Sequence, residues 1–374
     1  MIETGVLSAE LPPASATEPP PGAATSAVPT PAVSVIMVNY NGARWLERAL
    51  ASLENQTIAD QLEVIVMDNN SPDDSGWVAA DLVRERHVGC VLQNGTNLGY
   101  AGGNNLAASY ARGRYLLFLN HDIWLERDCL ERLLREAESS GAMAATPLVM
   151  DYTNDTVQSV GGEGFDVFGL PLGGPRRWVP RQEVFAASGA AFLIERKFFQ
   201  RLGGFDNQFF MYAEETDLSW RIGLAGGKVI LATSARLHHR GAAEVNPGGG
   251  EQILEKRTSD SKRFYSNRNS LLVLLKNCQH LLLLLVPLQI LLLAAEAAFM
   301  SLLVRRWSFV RRVYLEAVWD CWRLRRHILA ERRRLAKLRR RGDFWMLRFL
   351  RPRLNRWGEL QSCRRYGLPK VDSK

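Results

Sequence analysis

No Cys-x-x-Cys pair occurs in this 374-residue sequence. Its five cysteines, Cys90, Cys129, Cys278, Cys321 and Cys363, are scattered and odd in number. That argues against a disulfide framework and a cysteine zinc site, and a reducing compartment fits best. The N-terminus lacks a basic start followed by an apolar core, which argues against a secretory signal peptide. Neither the GxGxxG dinucleotide fingerprint nor a Walker loop is present. Acidic residues are scarce near the C-terminus. Residues 305–374 hold 22 Lys and Arg against 6 Asp and Glu, a net of +16, whereas residues 1–304 net −8. The basic character thus belongs to a tail, of the kind that meets nucleic acid or an anionic membrane surface.

What is present begins with a Pro, Ala, Ser and Thr-rich stretch over residues 1–32, centred on Pro19-Pro20-Pro21. It reads as a disordered leader that cannot bury enough surface to fold. From Val33 onward, apolar runs alternate with helical spacing. Strands are expected at 33–38, 62–67, 88–92, 115–119 and 228–232, with buried character returning over 186–194. Helices are expected at 43–53, 77–86, 101–111, 126–139, 197–202 and 214–224, the last ended by Gly226-Gly227 as a cap. Residues 151–185 look like a long excursion or a small hairpin, and Gly248-Gly249-Gly250 like a flexible loop. Such alternation predicts an α/β fold, with a Rossmann-like, mostly parallel sheet flanked by helices.

Polar clusters punctuate this pattern. Val-Asn-Tyr-Asn-Gly (38–42), Met-Asp-Asn-Asn (67–70) and Leu-Asn-His-Asp (119–122) each follow a strand. In an open α/β sheet, ligands bind at the carboxyl ends of the strands. Asp68 could accept a hydrogen bond from a base imide or ribose hydroxyl; the plainer role is to begin the turn before Ser71-Pro72. Asn97 to Asn105 opens a helix with three glycines, where a phosphate could approach the backbone; a tight helix start needs no more. Asp122, in Asn120-His121-Asp122, could hold a Mg²⁺ that bridges a diphosphate, or could lie in a helix cap region. Glu214, Glu215 and Asp217 fall in the first turn of a helix. Acids there offset the dipole, and Asp217 can pair with Arg221, but three acids behind 209–212 (Phe-Phe-Met-Tyr) exceed what capping requires. A general base for an incoming hydroxyl is the functional alternative. His238 and His239 sit just past the last strand, where a histidine can complete a metal shell.

Together these residues resemble family 2 glycosyltransferases of the GT-A fold, and their rhamnosyltransferase-like branch in particular. The resemblance covers residues 33–275. It rests on 35–42, 97–105, 118–122 and the run from Gly203-Gly204-Phe205-Asp206 through Asp217. It implies that Asn39, Asn41 and Asp68 line the nucleotide pocket, and that Asn97, Gly99 and Asn104 shape the wall near the ribose and diphosphate. Asp122 would be the last acid of a DxD element and bind Mg²⁺ or Mn²⁺, with Asn120 in place of the first acid, and His238 would approach the metal. Glu215, where the family usually has Asp, would be the base, with Glu214 beside it. The reaction implied is inverting transfer of a sugar from a nucleotide-diphosphate donor to a hydroxyl of a lipid-linked or polysaccharide acceptor in cell-surface glycan synthesis. dTDP-rhamnose is the donor the branch suggests, with UDP-hexoses and UDP-galactofuranose behind it.

Residues 276–374 form a hydrophobic, then Arg-rich, helical tail. The run 281–304 is long enough to span a bilayer, interrupted by Pro287, Gln289 and Glu296. A simple span from a cytosolic catalytic domain would place a +16 tail outside, against the positive-inside preference. Helices resting in the inner leaflet, with the arginines on anionic lipid at the cytoplasmic face, satisfy both constraints. A Leu-rich helix packed on the catalytic core is the plainer alternative. A nucleic-acid-binding protein and a catalytically silent nucleotide-sugar subunit are the competing readings. The apolar run argues against the first, and Asp122, Glu215 and His238 against the second.

Overall fold

In the computed structural model, residues 30–174, 180, 182–241, 257–304, 306–357 and 370–372 are described. Nearly all of the leader, the triple-glycine loop and Cys363 lie outside them. Strands β1 (Val33–Asn39), β2 (Leu62–Asp68), β3 (Cys90–Gln93) and β4 (Tyr115–Leu119) alternate with α1 (Ala43–Glu54), α2 (Ser75–Arg86) and α3 (Gly99–Tyr110). β1 and β4 are short, continuously apolar and buried on both faces, as the inner strands of a helix-covered parallel sheet must be, while β3 lies at the more exposed edge. Next come β5 (Ile123–Leu125), α4 (Cys129–Ser140) and β6 (Ala144–Asp151). The excursion supplies β7 (Val157–Ser159), β8 (Gly162–Phe165), β9 (Pro171–Gly173) and β10 (Gln182–Val184). Its β8 and β9 pair as a separate antiparallel ribbon. After β11 (Ala191–Glu195) come α5 (Arg196–Leu202), α6 (Glu214–Leu224) and β12 (Val229–His239).

The main sheet runs β10-β12-β6-β11-β4-β1-β2-β3. Six of these strands point one way, while β10 and β11 are reversed. The parallel register sets Asn39 beside Asp68, so the polar clusters after β1 and β2 emerge side by side at one edge. One face of the sheet packs on α1 and α4 through Leu46, Leu50, Leu130 and Leu133. The other packs on α3, α5 and α6 through Ala101, Ala107, Phe198, Leu202 and Leu218.

Two strands depart from the expected pattern. β6 was invisible to the apolar runs because Pro147 lacks an N–H and argues against a central strand. It is tolerated because β12 pairs with it irregularly. The register shifts immediately after Ala232, the partner of Pro147, and resumes at Arg236. For the same reason β12 does not stop at Ala232 but continues to His239, so both histidines lie within the strand rather than past it.

The chain then adds β13 (Arg257–Ser259), α7 (Asp260–Asn277), α8 (Leu285–Val304) and α9 (Trp307–Val310). A π-helical stretch leads into α10 (Ala317–Arg323), α11 (Arg325–Leu338) and α12 (Asp343–Met346); β14 (Lys370–Asp372) pairs with β13. These helices share a core with the sheet-bearing half. Leu271, Leu274, Ile328, Leu335 and Met346 pack with Phe165, Phe209 and Trp220.

Candidate functional site

The carboxyl ends of β1, β2 and β4 place most of the predicted residues together. Asn39 is fully buried and donates from Nδ2 to Asp68 Oδ1 at 3.0 Å, while its own Oδ1 has no partner among the described residues. Asp68 also accepts from the Ser71 hydroxyl at 2.7 Å and from its amide at 3.3 Å, so it does form the turn. Asn41, exposed at a φ of 53°, stands at the rim, and its amide bonds Ser71 Oγ. Asn97 bridges to the next loop, its Oδ1 accepting from Asn69 Nδ2 and from the Gly99 amide. Asn69 ties this loop down further through the Gly99 carbonyl and Leu98 amide. It lay inside the Met-Asp-Asn-Asn cluster yet was not singled out.

Gly99 starts α3 at a φ of +69°, and a Cβ there would meet the Phe210 carbonyl at 2.4 Å. The site therefore needs glycine here both for conformation and for the close approach of the turn before α6. Asn104 is buried one turn on; it donates to the Tyr100 carbonyl and leaves Oδ1 unpartnered. The Tyr100 hydroxyl reaches back to the Gly189 carbonyl. This half-buried phenol, near Glu214 and Glu215, is held far above its ordinary pKa, by desolvation first and then by those carboxylates.

At the end of β4, Asp122 is largely buried and Asn120 half-buried. The histidine that meets them is His239, not His238. Successive strand residues face opposite sides. His238 turns away, stacks on Trp124 at 3.7 Å between centroids and bonds the Asp151 carbonyl. His239 Nε2 lies 3.3 Å from Asp122 Oδ1 and 3.3 Å from Asn120 Nδ2.

The tautomer of His239 follows from Gln158. Its amide nitrogen must face the His239 carbonyl, 3.0 Å away, so its oxygen faces Nδ1 at 2.7 Å, and Nδ1 carries the proton. Nε2 of the neutral ring then presents a lone pair to a carboxylate. Two acceptors that close call for a positive charge between them. Burial pushes the Asp122 carboxyl up, but the hydrogen bond to His239 and the proximity of His239 and His121 outweigh it and hold Asp122 below the ordinary carboxylate range. A divalent cation would supply that positive charge. Among the described residues no group of three His, Cys, Asp or Glu side chains converges. The pair nevertheless fits Mg²⁺, which takes one or two protein carboxylates and completes its shell with phosphate oxygens.

The acid cluster divides by role. Asp217 is wholly buried and fully engaged, with Arg221 Nε at 2.8 Å, Lys276 Nζ at 3.1 Å and Asn277 Nδ2 at 2.8 Å. Its carboxyl is held below the usual range by Lys276 and Arg221, which outweigh burial. Asp217 is thus structural, as its spacing to Arg221 allowed. Glu214 is buried with Oε2 unpartnered. Burial pushes its carboxyl well up, and the neighbouring Glu215 adds to this. Glu215 is half-buried, accepts from the Thr216 hydroxyl, and is also raised by burial. A methyl on Gly189 would touch its carboxyl end at 3.9 Å. The Asn120 backbone amide donates to the Ala190 carbonyl, so segment 188–190 links the strand end that carries Asn120 and Asp122 to the neighbourhood of Glu215.

Comparison with known proteins bears on the family of the chain. The description "Glycosyl transferase family 2" matches residues 34–203. N-acetylglucosaminyl-diphospho-decaprenol L-rhamnosyltransferase of Mycobacterium tuberculosis is 30% identical over 241 residues, covering 56% of this chain and 77% of that protein. O-antigen biosynthesis protein RfbC of Myxococcus xanthus is 28% identical over 229 residues, covering 57% of this chain but only 18% of RfbC. The chain likewise spans less than half the length of other relatives. The crystal structure of GalNAc-T7 with UDP, GalNAc and Mn²⁺ aligns at 21% identity and a TM-score of 0.49, covering 55% of this chain and 42% of that one.

Proposed function

This chain belongs to glycosyl transferase family 2, in its rhamnosyltransferase-like branch, and on that premise we propose that it moves a single sugar, L-rhamnose from dTDP-rhamnose, onto a hydroxyl of a lipid-linked glycan. The observation that supports the reading is segment 188–190, bonded to the strand end that carries the Asp122–His239 pair and adjacent to the raised carboxylate of Glu215. Asn39, Asn41 and Asp68 would hold the nucleoside; Asn97, Gly99, Asn104 and Asn120 would line the ribose and diphosphate.

Glu215 takes the proton of the acceptor hydroxyl as that oxygen forms a bond to the anomeric carbon. The anomeric bond to the donor phosphate breaks on the opposite face, and the nucleoside diphosphate leaves with both electrons, so the configuration inverts. Glu215 is the better-placed base because it is half-buried beside Gly189, whereas Glu214 is buried and best kept neutral. Asp122 and His239 would hold Mg²⁺ or Mn²⁺, which when bound offsets charge on the leaving diphosphate. Family members generally use such an ion.

An acceptor on a polyprenyl diphosphate places the enzyme at the cytoplasmic face of the cell membrane. Leu282–Leu302 is long and apolar enough to cross a bilayer, with a mean hydropathy of 2.2. Against a lone span, α8 buries Leu285, Gln289, Leu293 and Ala297 against Phe309, Val313 and neighbouring helices, and Glu296 pairs with Arg356 at 2.7 Å. Leu284, Leu288, Leu291, Phe299 and Leu302 remain exposed, beside exposed Trp307, Trp319 and Trp322. That surface suits a helix seated in one leaflet with arginines on anionic lipid. No nucleic-acid partner is expected.

The test is nucleotide release by detergent-purified full-length chain, with Mg²⁺ or Mn²⁺, across UDP-, dTDP- and GDP-sugars and a membrane glycolipid extract. Release from one donor that needs acceptor and metal, and falls about 100-fold or more in Glu215→Gln, is expected. Donor binding without release would leave a silent subunit as the better description.

A further inference from the structure

The turn that delivers the acid pair is unusual. Phe210, Tyr212 and Ala213, none of them glycine, sit at φ values of 60°, 70° and 64° immediately before Glu214. The left-handed region is costly for such residues and persists only where surroundings impose it. Here the surroundings come from α7, beyond the residues that the family description matches.

Asn269, fully buried, donates from one Nδ2 toward three carbonyls: Phe209 at 2.9 Å, Met211 at 2.8 Å and Tyr212 at 2.7 Å. Its neighbour Arg268 donates from Nη2 to the Gln208 and Phe209 carbonyls. Tyr265, one turn earlier, stacks on Phe210 at 5.3 Å and 19°. About two turns after Asn269, Lys276 and Asn277 grip Asp217, in the first turn of α6. A single face of α7 therefore holds the turn and the helix start on both sides of Glu214 and Glu215.

The turn is also fastened to the donor side, because the Phe210 carbonyl accepts from the Ala101 amide in the first turn of α3. Arg268 in turn pairs with Asp320 of α10 through Nη1 at 2.8 Å. A continuous set of contacts thus runs from the C-terminal helices through α7 to the acid pair and the donor loop.

We infer that Arg268 and Asn269 are positioning residues for transfer: they clamp residues 208–212 by their carbonyls and so set where Glu215 stands. This rests on the reading of Glu215 as the base. Neither residue contacts the donor-binding clusters directly, and they reach the donor loop only by way of Phe210, so loss of the clamp should cost turnover more than donor affinity.

The experiment compares the full chain with Asn269→Leu, which keeps volume but removes the donors, and Arg268→Lys, which keeps the charge but not the fork. Turnover, donor KM, the dissociation constants of dTDP and UDP, and amide hydrogen exchange are measured for each. Expected is a kcat loss of about 30-fold for Asn269→Leu and about 5-fold for Arg268→Lys, with KM and nucleotide binding within about 2-fold. Exchange should accelerate over 207–217 and stay unchanged in β1–β4. If kcat stays at the wild-type level in a folded variant, or if exchange rises throughout and nucleotide binding is lost with turnover, the inference fails. Should Asn269→Leu not fold, Arg268→Lys decides alone. Should wild-type chain transfer no sugar, the reading of Glu215 falls, while local exchange still decides whether the clamp exists.

Discussion

Side-chain direction divides the two adjacent histidines. His239 faces Asp122 and is pinned by Gln158, whereas His238 is consumed by its stack on Trp124. Asp122→Asn and His239→Ala are each expected to lower transfer on the order of 100-fold and to raise the Mg²⁺ needed for half activity. His238→Ala should instead lower thermal stability by about 1 kcal/mol through the lost aromatic pair, with the metal requirement unchanged. A metal titration of all three variants separates these outcomes. Glu215 supplies a pH prediction. Its carboxyl is raised by burial, and a base works only when ionised. Transfer should therefore fall as pH drops through a value above the ordinary Glu range of about 4.3, and Glu215→Asp should move that limb. A pH–rate profile with its acid limb at or below that range would count against Glu215.

Among the elements, α11 is joined to the catalytic half through one ionic cluster. Asp206 accepts from Lys276 at 2.5 Å and from His327 at 2.8 Å. That hydrogen bond raises His327 above its ordinary value, against partial burial. A group raised on folding contributes stability that is complete below its unfolded pKa, about 6.5, and is lost as pH climbs through the folded one. The melting temperature of wild type should thus fall more between about pH 6 and pH 9 than that of His327→Gln. Equal slopes in the two proteins would show that the pair contributes nothing. Asp206, held well below its usual range, loses its share only in strong acid. Elements of this kind mark where sequence reasoning ended. β1, β2 and β4 were legible as short apolar runs, α1 and α4 by amphipathic spacing, and α5 and α6 by the glycines that close them. β6 was not, since Pro147 hid it, and the facing of His238 and His239 was not, since it depends on where β12 resumes its register after Ala232. Asn69 and Gly99 were legible as members of a cluster, but not their contact through the 97–99 loop, which joins segments 28 to 30 residues apart. The hold of α7 on the turn before Glu214 depends on contacts between residues 57 to 60 apart, which no local pattern encodes.

For the molecule as a whole, the tail is both part of the core and the source of an apolar exterior. Full-length chain should float with vesicles containing anionic lipid, less so with purely zwitterionic ones, and less in high salt. Leu291→Glu with Leu302→Glu should abolish flotation while leaving the melting temperature within a few degrees, because both side chains are exposed. Retained flotation in that variant would remove α8 from the contact, and self-association lost with it would make a second copy the partner. The cluster around Asp206 also sets a schedule for synthesis. Its members lie as far as 121 residues apart, with His327 last to appear. Chains fold from the N-terminus as they leave the ribosome. The proposed nucleotide pocket can therefore assemble early, but the helix bearing Glu215 reaches its final setting only after α7 and α11 have emerged. Since α8 emerges between them, a nascent chain displays its greasiest segment before it can consume any activated sugar, and one that terminates early is left able to grip a nucleotide but not to spend it.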